Sequence, residues 1–206
     1  MTGPDFDLEI LEPDAAGLAR AAELLRAGAV IAFPTDTVYG LAARAADAGA
    51  IDRIFEIKGR SRDRSLVLMP SAPSELPRWV RLDSRARSFM ARYWPGPLTL
   101  VLPAAEGVGP PLAAANGTLG VRMPDHIVAL QLLEELAEAI ATTSANRHGE
   151  EPAILAGEAA ELEGIAAVID GGRVPGGRPS TVLDLSSEQP VVLREGPITG
   201  HELLSP

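Results

Sequence analysis

Cysteine is absent from the 206 residues. That removes disulfides, thiolate nucleophiles and thiolate metal sites together. Histidine is scarce, and His126, His148 and His201 lie too far apart in the chain for zinc-ligand spacing. No apolar run reaches membrane-spanning length, and the N-terminal MTGPDFDLEI is acidic and polar, unlike a secretory leader. The expectation is a soluble cytoplasmic protein with no membrane contact. Lysine is nearly absent: Lys58 stands alone among seventeen arginines, which singles out its position. The chain contains no GxxxxGK followed by Ser or Thr and no GxGxxG, so neither a Walker A loop nor a dinucleotide fingerprint is present. No Ser-His-Asp arrangement and no carboxylate pair of catalytic spacing stands out.

What is present is enough apolar residue, 46%, for a good core. The formal charge of −10 argues against a broad nucleic-acid-binding face, while leaving room for a local basic patch. No low-complexity linker divides the chain, so one domain over residues 1–206 is expected, with its core at about 14–198.

The stretch 28–46, GAVIAFPTDTVYGLAARAA, reads as strand, loop, strand. Pro34 ends the first apolar run, and Gly40 permits a tight backbone before Leu41 resumes the second. Thr35, Asp36, Thr37 and Tyr39 put three hydroxyls and a carboxylate into five positions. Two readings fit. The threonines cap local backbone groups while Tyr39 packs, or the loop rims a pocket for a polar ligand.

In chain order, 14–27 reads as an amphipathic helix with Leu18, Ala21, Ala22 and Leu25 inward, Asp14 as N-cap and Gly28 at the C′ position. A short helix at 49–58 turns Ile51, Ile54, Phe55 and Lys58 inward, and Leu66–Met69 follows as a strand. Residues 70–81 read as a connection and 83–94 as a helix. Strands are expected at 98–102 and 118–123. A helix at 125–138 has Ile127, Leu130, Leu133 and Leu136 along one side. The strand 140–143 then runs into Ser144, Ala145 and Asn146. A weaker helix at 152–163, a strand at 165–169, a glycine-rich loop at 170–178 and a hairpin of 180–185 with 191–193 complete the chain, leaving a short tail. This alternation describes a layered α/β domain on one twisted mixed sheet.

Polar groups collect at the strand ends. Lys58, Arg60, Arg62 and Arg64 alternate along a loop as a solvated charged segment or an anion clamp. Thr142, Thr143, Ser144 and Asn146 leave a buried strand end, where open sheets commonly bind ligands. Arg122 closes an apolar strand and needs a partner, either structural, such as Asp125, or a ligand. Ser180, Thr181 and Arg194 add to the set, which suits a phosphorylated small molecule.

FPTDTVYGL, the KxR of Lys58 and Arg60, YWPGPLTLVL, GVRMPDH, TSAN, and PSTVLDL with LREG closely resemble the YrdC/Sua5 family, in that family's order from about residue 14 to 198. The resemblance implies a three-layer α/β fold around a twisted mixed parallel/antiparallel sheet, in the short single-domain form. It implies a nucleotidyltransferase that makes threonylcarbamoyl-AMP and diphosphate from L-threonine, bicarbonate and ATP. Mg²⁺ would be carried with the ATP, without a dedicated protein metal site. The product would pass to the machinery that modifies adenosine 37 of tRNA, with a weak tRNA or RNA contact as a further expectation. By resemblance, Lys58, Arg60, Ser144 and Asn146 form the catalytic, phosphate-holding set. Thr118 and Arg194 contact nucleotide, and Thr35, Tyr39, Arg122, Thr142 and Ser180 hold threonine. The chain departs from the family pattern at Ser61, Arg64, Ser65, Met69 and His148. A YciO-like relative or an RNA-binding module without this activity are the alternatives. The loop at 170–178 is expected to move when threonine and ATP bind.

Overall fold

The computed structural model describes residues 6–59, 61, 66–176 and 178–204. Ten strands form one sheet: β1 (Glu9–Leu11), β2 (Ile31–Phe33), β3 (Gly40–Arg44), β4 (Val67–Met69), β5 (Leu98–Pro103), β6 (Thr118–Val121), β7 (Ile140–Ser144), β8 (Ala167–Ile169), β9 (Thr181–Asp184) and β10 (Val191–Arg194). Their order across the sheet is β1-β8-β2-β3-β7-β4-β6-β5-β9-β10. Pairing is parallel for β1/β8, β2/β8, β4/β6 and β5/β9 and antiparallel elsewhere, so the sheet is mixed, as expected.

The helices are α1 (Ala15–Arg26), α2 (Ala48–Lys58), α3 (Ser84–Tyr93), α4 (Ile127–Leu136), α5 (Ala156–Ala160) and α6 (Gly200–Leu204). Aspartate caps three of them. Asp14, Asp47 and Asp83 accept hydrogen bonds from the backbone N–H of Gly17, Ala50 and Ala86 at 2.8–2.9 Å, satisfying donors that the first helical turn leaves free. Gly59 ends α2 in the left-handed region, φ 60°, where a side chain would be strained.

Alternation along the strands sends side chains to two layers. Leu41, Leu68, Leu98, Leu100, Leu119, Val121 and Ala141 join the larger apolar cluster with Ile51, Ile54, Ala86 and Ala159 from α2, α3 and α5. On the opposite face, Ile31, Phe33, Ala42, Ile140 and Ala167 pack with α1 and α4 through Leu18, Ala22, Leu25, Leu132 and Leu133. Helices, sheet and helices make the three layers. The second cluster contains no residue of β5, β6, β9 or β10. Among the described residues, no helix covers that half of the face.

Several elements differ from the expectation. β1 lies outside the anticipated core yet pairs with β8, with Glu9 opposite Ala167. Residues 73–78 of the expected connection form a 3-10 helix that buries Leu76, and Trp79 is buried after it. The helix expected at 152–163 spans only 156–160, because Ala153 instead exchanges backbone hydrogen bonds with Tyr39 and Ala145. In α4 the buried positions are Val128, Ala129, Leu132, Leu133 and Leu136, while Ile127 is 66% exposed. A stripe at every third residue drifts round a helix of 3.6 residues per turn. The expected tail returns to the body: Ile198 and Leu203 are buried, and the Thr181 hydroxyl donates to the Ile198 carbonyl at 2.6 Å. No described helix is long and apolar enough to cross a membrane.

Candidate active site

A cavity of about 260 Å³ opens on the uncovered half of the sheet. Among the described residues, strand and loop residues line it and no helical residue does. The wall combines Thr35, Thr37, Thr99, Arg122, Thr142, Ser144, Ser180 and Arg194 with apolar Val67, Val101 and Val182. Gly120 sits among them on β6, and the missing side chain leaves the floor open. Gly40 serves close packing instead: a Cβ there would lie 2.9 Å from Cε1 of Phe33 and 3.0 Å from Oγ1 of Thr142.

The loop after β2 supports both readings of its hydroxyls. Thr35 Oγ1 donates to the Val38 carbonyl at 2.6 Å and accepts from the Thr37 and Val38 N–H groups, so it closes the turn. It also lines the cavity. Tyr39 is fully buried and donates to the Gly172 carbonyl at 2.7 Å. Burial, with the negative charge of Asp170, pushes the Tyr39 hydroxyl up to about 12, so it stays protonated. Its hydroxyl is thus committed to the glycine-rich loop. Gly176 N–H to Thr37 O, 2.9 Å, and Val174 N–H to Ile154 O, 3.0 Å, tie that loop down further. Movement of this segment requires those bonds to break.

Arg122 is 4% exposed. Its Nε–H donates to the Gly96 carbonyl at 3.0 Å, Nη1 to Thr37 Oγ1 at 3.2 Å and Nη2 to Asp36 Oδ1 at 2.5 Å. The ionic partner is therefore Asp36, which the sequence had left between Asp125 and a ligand. Burial lowers the Arg122 pKa and Asp36 opposes that shift. A guanidinium has five N–H donors. Two remain beyond these three bonds among the described residues, in a side chain that lines the cavity. Arg194 lies nearby, and burial and the Arg122 charge lower its pKa in that order. It donates to the carbonyl and hydroxyl of Ser180. Among the described residues it has no ion pair.

At the other end of the cavity, Ser144 leads to the turn that holds Asn146. Lys58 is 3% exposed, and its ammonium donates to Ser144 O at 2.6 Å, Asn146 O at 2.8 Å and Asn146 Oδ1 at 2.8 Å. Ser144 Oγ donates to the same Asn146 Oδ1 at 2.6 Å, and Asn146 Nδ2 donates to Arg147 O and Glu150 O. Among the described residues, three acceptors of this turn surround the Lys58 ammonium, so a phosphate would have to compete with protein acceptors to be bound by it. Arg60, with Arg62, Arg64 and Ser65, lies outside the described residues.

The expected threonine set of Thr35, Tyr39, Arg122, Thr142 and Ser180 thus meets Ser144 and Arg194 at one cavity, with Lys58 and Asn146 joined to Ser144. Thr118 is not in the wall. Its hydroxyl donates to Asn116 Oδ1 at 2.8 Å. Sequence reasoning missed Asp36 as the partner of Arg122, and it missed Thr99 and Gly120. A hydroxyl between Leu98 and Leu100 was the available signal for Thr99.

The Sua5/yciO/yrdC family model, described as Telomere recombination, matches residues 23–196. The chain belongs to this family. A Bacillus subtilis threonylcarbamoyl-AMP synthase is 41% identical over 190 residues, covering 90% of this chain and 55% of that protein. The chain therefore spans about half the length of such curated family members. A crystal structure of Pyrococcus abyssi Sua5 complexed with L-threonine superposes with a TM-score of 0.90 at 37% identity, covering 97% of this chain and 61% of that one. Escherichia coli YciO, also of this fold, gives a TM-score of 0.87 at 31% identity, covering 97% of this chain and all of that one.

Proposed function

We propose that the protein is an L-threonylcarbamoyl-AMP synthase. It would be a nucleotidyltransferase that converts L-threonine, bicarbonate and MgATP to threonylcarbamoyl-AMP and diphosphate in the cytoplasm. One observation carries the reading: buried Arg122, with two N–H donors to spare, shares a cavity with Ser180 and with the Ser144 end of the Lys58–Asn146 turn. A carboxylate fits the first pair and phosphates fit the second region. The family members named for this activity, and the Sua5 bound to L-threonine, support it.

In this reading Arg122 and Ser180 take the threonine carboxylate. The free amine adds to CO₂ and loses a proton, or condenses with bicarbonate and releases water, to give a carbamate. A carbamate oxygen attacks the α-phosphorus of ATP, the bond to the bridging oxygen breaks, and diphosphate leaves with Mg²⁺. No protein nucleophile is needed, so the protein contributes alignment and charge neutralisation. Val67, Val101 and Val182 beside Gly120 offer an apolar platform for the base. Lys58, Arg60 and Arg194 supply positive charge, and Ser144 and Asn146 supply polar contacts. The adenylate is a mixed anhydride and goes on to the tRNA-modifying machinery.

Diphosphate release from MgATP and bicarbonate tests this, with and without L-threonine and with L-serine as competitor. Strong threonine dependence that Lys58→Ala abolishes in folded protein is the expected result. No threonine response in folded wild-type protein would refute it. Full coverage of YciO favours a second reading, a YciO-like protein, for which that null response is expected. A salt-dependent RNA shift without release would instead point to an RNA-binding module.

A further inference from the structure

Helix α4 carries more apolar surface than its core face needs. Val128, Ala129, Leu132, Leu133 and Leu136 are buried. Ile127, Leu130 and Glu134 stand at i, i+3 and i+7, so they share a different face. Ile127 is 66% exposed there. A helix with the core as its only neighbour would carry polar residues on that side. The face borders a groove of about 840 Å³ bounded by α3 and α4. Its floor is apolar, with Met90 and Trp94 from the α3 side and Met123 and Leu130 from the α4 side. The Trp94 indole N–H is already given to the Leu98 carbonyl at 2.7 Å, so the ring offers apolar surface. Methionine and tryptophan are the side chains that protein interfaces concentrate. Among the described residues, the groove and the active-site cavity share no lining residue.

Arg87 on α3 and Glu134 on α4 stand on opposite banks of the groove. Both are exposed, and among the described residues neither side chain has a hydrogen bond or an ion pair. Their signs select the occupant. Glu134 opposes a polyanion, and Arg87 opposes a polycation. In a contact between two copies related by a twofold axis, each patch meets its own likeness, so a patch of one sign repels itself. Opposite signs on the two banks make this patch self-complementary. Arg87 of one copy faces Glu134 of the other, and the reciprocal pair forms at the same time.

We propose that the groove between α3 and α4 is the contact surface for a second copy of this chain. The two copies form an isologous dimer that buries Met90, Trp94, Met123 and Leu130, with Arg87 and Glu134 paired across the axis. This dimer stands independently of the synthase reading, because its residues lie outside the cavity.

Sedimentation equilibrium of the full chain across micromolar concentrations tests it. Wild type should show a species of twice the single-chain mass. Arg87→Glu sets acid against acid at both reciprocal positions, and Glu134→Arg sets arginine against arginine. Each should weaken dimerisation by about tenfold or more. Mixed in equal amounts, the two variants should form a dimer of one copy of each with near wild-type affinity, because both cross-pairs are again opposite in sign. Both substitutions are at exposed positions, so the urea midpoint of each variant, extrapolated to the single chain, should match wild type. A wild-type protein that stays a single chain throughout overturns the proposal, and a different protein becomes the occupant to seek. Dimers that ignore both charge reversals, or variants that fail to recover on mixing, overturn it as well.

Discussion

On one face of the sheet, β1, β8, β2, β3 and β7 carry Leu11, Ile169, Phe33, Ala42 and Ile140 beneath α1 and α4. Further along that face, β6, β5 and β9 carry Gly120, Thr99 and Val182, and these line a cavity instead. Both halves belong to one hydrogen-bonded sheet. In the covered half, burial of apolar surface contributes stability. In the open half, polar groups are held by other protein groups, with donors left over. The second arrangement depends on the first, because β3 and β7 run through the covered half and deliver Gly40, Thr142 and Ser144 to the cavity edge.

The contrast can be tested from both sides. The largest effect is expected at the Arg122–Asp36 ion pair, deeply buried in the open half. Arg122→Met leaves Asp36 without its counter-charge and should cost about 3–5 kcal/mol in urea unfolding. Adding Asp36→Asn should recover part of that loss. If the double variant is no more stable than Arg122→Met, the stability argument for this pair fails. In the covered half, Leu132→Ala should cost about 3 kcal/mol by opening a cavity under α4, while the threonine response per folded molecule stays near wild type. A selective loss of threonine response would show that the halves are not separable.

Gly120→Val should do the reverse. Its first added atom would meet Thr99 Cγ2 at 3.4 Å, an ordinary contact, so the strand tolerates it. The branched side chain occupies the cavity floor, and diphosphate release should fall roughly tenfold or more with little change in the unfolding midpoint. A fully active Gly120→Val protein would place the reaction elsewhere.

The smallest effect concerns His126, at the boundary between the halves. Burial lowers its pKa, against the opposing charges of Asp36 and Asp125. The unfolded chain therefore takes up the proton first. The contribution to stability is intact above the ordinary value of 6.5 and is lost as pH falls below it. The slope should be at most about 1.4 kcal/mol per pH unit, and His126→Gln should remove it. Urea midpoints at about pH 7.5 and about pH 5.5 measure this, and an unaltered slope in the variant would assign the pH dependence to other groups.

Much of this contrast was legible in the residues. Asp14 before an apolar stripe marked the start of α1, and Lys58, alone among the arginines and on the inward side of the expected helix, singled out its position. Motif order pointed to the family and so to most of the cavity wall. What could not be read depends on distant partners. Ala153 leaves the helical pattern because Tyr39 and Ala145 supply its backbone bonds. Three residues of β1 are too few for a period-two signal, and they become a strand only against β8. Asp36 lies 86 positions from Arg122, so only the folded sheet pairs them.

Lys58 also makes the chain its own reporter. It is the one side-chain amine, and its nitrogen is wrapped in three carbonyl-type oxygens. An acylating reagent can reach it only when that turn loosens. A single side-chain mass increment, followed with and without ATP, would then count how often the turn at the Ser144 end of the cavity opens, without any engineered label.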